Sequence, residues 1–138
     1  MSEVELVVDA HAIVGEGPIW DGQNQVLYWV DVLNPRIHRF DPSTGTHDSR
    51  LVETEIGSIG LSSGNRLVAG LRMGFALYDP GSSGLEFIDD PEGDGRYNTN
   101  RLNDGKVDHV IAEIAATNEG RYSSALHMAH DKSARPEF

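Results

Sequence analysis

Glu16 stands between two glycines in GEGPIWD, residues 15–21, two positions before Pro18. Glycine opens backbone dihedrals closed to other residues and lets a ligand approach closely, while proline fixes the turn that follows. Such a setting can hold one carboxylate in a channel. A solvated turn glutamate leading into a strand has the same signature. A second candidate is NRLNDGKVD, residues 100–108. Arg101 and Asn103 are two apart and would point the same way at the end of an extended strand. A guanidinium fork beside a carboxamide suits a ligand rich in hydroxyl and carbonyl oxygens. Asp104-Gly105 is also a common hairpin turn pair, so a structural turn remains open here.

Other chemistry is excluded more firmly. Asp90, Glu92, Asp94 and Gly95 begin like a calcium loop, but Arg101 stands where the closing bidentate glutamate belongs. There is no GxSxG, Walker loop, HExxH or N-glycosylation acceptor. His127 and His130 are spaced HxxH with no supporting third ligand. The chain has no cysteine, which removes disulfides, thiolate metal sites and cysteine nucleophiles.

The chain has 138 residues, 38% hydrophobic and 24% charged, as expected of one soluble domain with a core of its own. Acids outnumber bases 22 to 11 and no basic stripe occurs, so a nucleic-acid partner is not expected. The start, MSEVELVVDA, has no basic residue before a short apolar run and does not read as a secretory signal. No apolar run approaches the ~20 residues needed to span a bilayer, so no membrane role is expected. A cytoplasmic location is the default.

The elements that must position these residues read as strands. VLYWVDV (Val26 to Val32) is rich in β-branched and aromatic residues, and RIHRF, GSIGL, RLVAGL and GFALYD follow. Turn clusters DGQN, DPSTG, SSGN and DPGSSG separate them. The text also repeats. NQVLYWVD precedes NRLVAGLR by 41 residues, and RFDPSTG precedes LYDPGSSG by 38 or 39. The second copy drops about three residues where the first has LNP. A period near ~40 residues is that of propeller blades, each a small four-stranded sheet. A meandering β-sandwich is the competing architecture. At that period the chain holds about three blades, short of the usual four to eight, and an open arc would expose strand edges prone to self-association. After Asp108 the repeat signature is lost, and VIAEIAA would tolerate a helix.

GEGPIWD, then LYWVDV, then RLNDGKVD, in this order, resemble the SMP-30/gluconolactonase/LRE-like family. The resemblance covers roughly residues 10–108. Beyond them only GRYSSALHM, residues 120–128, resembles the family's next strand. It implies an all-β fold: an incomplete β-propeller, about the first three blades of a six-bladed ring, over residues 1–108. Residues 109–138 are expected to form a divergent tail, non-native or poorly ordered.

The resemblance implies a divalent-metal-dependent hydrolase of sugar lactones. Glu16 would be a metal ligand, and Arg101 and Asn103 would contact substrate. The cation would be calcium first, with zinc, manganese or magnesium as alternatives. The family's remaining ligands, an Asn and an Asp that is also its general acid/base, match nothing in this chain, so no catalytic residue is assigned. The expectation is an N-terminal portion, a truncated or disturbed reading, carrying part of the site and inactive in isolation. The alternative is a non-catalytic metal- or sugar-binding module.

Overall fold

The computed structural model describes residues 3–90, 102, 103 and 105. Eight strands follow in order: β1 Gly15–Asp21, β2 Val26–Asp31, β3 Arg36–Asp41, β4 Thr46–Leu51, β5 Ile56–Leu61, β6 Leu67–Leu71, β7 Gly74–Asp79 and β8 Gly84–Asp89. They form two four-stranded antiparallel meanders, β1-β2-β3-β4 and β5-β6-β7-β8. The third blade and the tail expected from the sequence lie outside the described residues.

The turn chemistry explains why the strands end where they do. Strands β1, β3 and β7 each close on an aromatic residue or its neighbour followed by aspartate, and that carboxylate takes the turn's free N–H groups. Asp21 Oδ1 accepts from the backbone of Gln23 and Asn24, both at 3.0 Å, Asp41 Oδ1 from Ser43 at 2.9 Å, and Asp79 Oδ1 from Gly81 at 2.8 Å. Hydrogen bonds from the Ser43 side chain and backbone hold the Asp41 carboxyl below its ordinary range, and those from Ser82 and Gly81 do the same for Asp79.

The sequence repeat becomes a stacking of like on like. Val26, Tyr28 and Val30 alternate along β2 and Leu67, Ala69 and Leu71 along β6, and all six are buried in one core between the sheets. Asn24 and Asn65, 41 residues apart, lie in corresponding turns. Asn24 Nδ2 donates to Asp21 at 2.7 Å and to Asn65 Oδ1 at 3.2 Å, tying one turn to the next. The shorter second copy has its cause at this hairpin: four residues join β2 to β3 but two join β6 to β7, and β6 is one residue shorter than β2.

GEGPIWD is not a loop entering a strand but strand β1 itself, broken by a bulge. Glu16 pairs with Val30 and Ile19 with Tyr28, so Gly17 and Pro18 together oppose Trp29. Strands β4, THDSRL, and β8, GLEFID, carry mostly exposed residues without a clean apolar alternation.

Candidate functional site at the first strands of the two sheets

Each sheet turns its first strand, β1 or β5, toward the other. Glu16 lies on β1 and is exposed. The bulge that follows it needs Gly17 for conformation rather than for space, because φ is 59° and nothing lies within 4 Å of where a Cβ would be. A buried carboxylate sets the approach to β1. Asp31, fully buried at the end of β2, accepts the N–H groups of Ile13 (2.8 Å), Val14 (3.0 Å) and Asn34 (3.3 Å). Burial opposes its charge, but these donors outweigh burial and hold its pKa below the ordinary 3.8. Asp31 therefore anchors the chain just ahead of Glu16, and Val32 N–H donating to Val14 at 2.9 Å completes the clasp.

Asn103 is exposed and is carried by the second sheet. The repeat of 41 sets Gly57 of β5 in the place of Glu16. A Cβ on Gly57 would collide with the backbone carbonyl of Leu102 and with Asn103, and one on Gly70 would collide with Ser58 Oγ. Gly105 packs near the Ser58 hydroxyl. Gly57, Ser58 and Gly70 thus form a trough of small residues in which residues 102, 103 and 105 rest. Sequence reasoning missed this trough, although glycines inside the strand GSIGL signal a close backbone approach. Glu16 thus lies on β1, and Asn103 rests against Gly57 of the neighbouring first strand β5. Arg101 lies outside the described residues.

Among the described residues, no three His, Cys, Asp or Glu side chains converge as a metal site would require. Glu16 offers hard oxygen donors of the kind calcium or magnesium prefers. The described donors thus fit one corner of a cation site and not a whole one.

Two consecutive four-stranded meanders, packed face to face with their first strands together, are blades of an incomplete β-propeller. The model of the SMP-30/Gluconolactonase/LRE-like region matches residues 14–121, and the chain belongs to that family. A 6-deoxy-6-sulfogluconolactonase of Pseudomonas putida is 36% identical over 106 residues, 76% of this chain and 35% of that protein. The solved luciferin-regenerating enzyme matches with a TM-score of 0.64 at 31% identity, over 72% of this chain and 34% of its own. The regucalcin structure from Agrobacterium tumefaciens, described as a calcium-binding protein, gives a TM-score of 0.62 at 22% identity, over 68% and 31% of the two chains, which establishes the fold alone. The chain spans about a third of the length of the relatives it matches.

Proposed function

We propose that this chain carries the opening part of a divalent-metal-dependent site for hydrolysing sugar lactones. The observation that carries this reading is the trough at Gly57, which seats Asn103 beside the first strand of the sheet next to the one bearing Glu16. The lactonase relative supports the substrate class, a cyclic ester with several hydroxyls. The fold is one that a calcium-binding protein, the Agrobacterium tumefaciens regucalcin, also has.

In this reading, Glu16 supplies one carboxylate to a divalent cation, with calcium the first choice and zinc, manganese or magnesium as alternatives. When bound, the cation would polarise the ester carbonyl and lower the pKa of a water. Asn103 offers both a donor and an acceptor to sugar hydroxyls, and Arg101 would add a planar fork of donors. Lactone opening adds water across the ring C–O bond and releases a hydroxy acid. Among the described residues none is placed as a general base, which favours a second reading for the chain by itself, as a sugar- or cation-binding module without turnover.

The test follows acid release from a gluconolactone by the full chain, above the spontaneous rate, with calcium, manganese or zinc. Metal-dependent release lost in Glu16→Gln supports hydrolysis. Saturable metal binding without turnover, also lost in Glu16→Gln, supports the binding module. Identical behaviour of wild type and Glu16→Gln, with or without chelator, removes Glu16 from the site.

A further inference from the structure

A second polar concavity lies between the sheets, built largely on strands β2 to β4 and away from the Glu16 and Asn103 strands. It is a cleft of about 130 Å³. The strand register explains how it is made. Tyr28 pairs with Arg39 and Arg39 with Asp48, so these three side chains form one row across the face of the first sheet. Ile37 pairs with Arg50 and forms the next row. Tyr78 of β7 enters from the second sheet.

The floor is closed and the rim is charged. Tyr28, Tyr78 and Ile37 are 4%, 4% and 2% exposed, so the phenols sit in a dry layer. Burial raises the pKa of both, against the lowering influence of Arg39 on Tyr28, and of the Ser83 hydrogen bond and Arg50 on Tyr78, so both remain O–H donors at neutral pH. Neither arginine is held in a close ion pair among the described residues. Arg39 Nη1 reaches Asp48 only at 4.0 Å, between side chains 35% and 55% exposed, a pair worth little. Arg50 has no carboxylate within ion-pair distance among the described residues. Within the lining two guanidinium groups face one carboxylate, while Asp21 and Asp41 act on Arg39 from outside it.

We infer that this cleft binds a phosphate group, with Arg39 and Arg50 as its charged donors and the phenols of Tyr28 and Tyr78 as its neutral ones. The volume holds one such group and little more. Donors arriving from two strand rows and from the opposite sheet suit the four oxygens of a tetrahedral anion better than the two of a flat carboxylate. The shared chemistry is the phosphoryl oxygen, whether of the free ion or of a phosphomonoester whose organic part stays outside.

The experiment is calorimetric titration of the full chain with inorganic phosphate, acetate and glucose 6-phosphate at matched ionic strength. Saturable phosphate binding, about tenfold weaker in Arg50→Gln and unchanged in Arg66→Gln, is the expected result. Arg66 serves as the control because it pairs with Glu86 at 3.4 Å elsewhere on the surface. Tighter binding of glucose 6-phosphate would make the occupant a monoester, and equal binding would make it the free ion. No saturation by ~50 mM phosphate, acetate binding as well as phosphate, or an unaffected Arg50→Gln would overturn the assignment.

Discussion

The two sheets have the same strand order and nearly the same register, yet they bury their residues differently. Strand β5 is buried at every position except Leu61, whereas β1 is exposed everywhere except Ile19 and Asp21. Corresponding positions show why. At the offset of 41, Gly70 of the second sheet stands where the first has Trp29, which pairs with His38. A Cβ on Gly70 would meet Ser58 Oγ and the Leu102 side chain, which cover that face of the second sheet. On the same face of the first sheet Trp29 stacks on His38 and His47 at ring-centre distances of 4.9 and 5.3 Å. Shared topology does not dictate shared chemistry: what covers a face decides which side chains suit it.

That contrast can be broken most sharply at the glycines. Gly57→Ala should cost about 3 kcal/mol in a urea titration, because the methyl group meets the backbone of residues 102 and 103. Gly17→Ala on the first sheet meets nothing and should cost about 1 kcal/mol, from its positive φ alone.

Next comes Asp31→Asn, which keeps the shape but loses charge-assisted hydrogen bonds, for about 2 kcal/mol by the same titration. Because the folded pKa of Asp31 is lowered, its contribution is present above the ordinary 3.8 and is lost as pH falls through the folded value. The variant should therefore show a shallower acid limb below about pH 4 in thermal melts.

A smaller effect belongs to the histidine pair. His38 Nδ1 lies 2.9 Å from His47 Nε2, and burial, followed by the charge of His47, lowers the pKa of His38 below 6.5. Asp31 opposes that shift and Arg36 reinforces it. The native state thus favours neutral His38, and its stability falls as pH drops below 6.5 toward the folded value. Melting His38→Phe across that window should show a flatter pH dependence than wild type. Smallest of all, Glu16→Gln should change stability by no more than about 0.5 kcal/mol, since the side chain is exposed; a larger loss in melts would make Glu16 structural.

Much of this architecture was legible. The offsets of 41 and 38 residues placed β2 against β6 and β3 against β7, because turn aspartates and β-branched runs act locally. Strands β4 and β8 were not legible, since outer strands with mostly exposed residues carry little hydrophobic period. Glu16 stood out through its glycines. The seat for Asn103 did not, because it depends on contact between β5 and residues 45 positions later. Arg101 lies outside the described residues, and its assignment rests on the motif alone.

The trough has a mechanical corollary. In the proposed site Asn103 rests on the second sheet and Glu16 on the first, so the aliphatic layer between the sheets would act like the pivot of a calliper whose jaws are those two side chains. Shaving a methyl group from Ile56 or Val30 would alter the gap between those jaws without touching either one, and ligand affinity would register the change before the fold did.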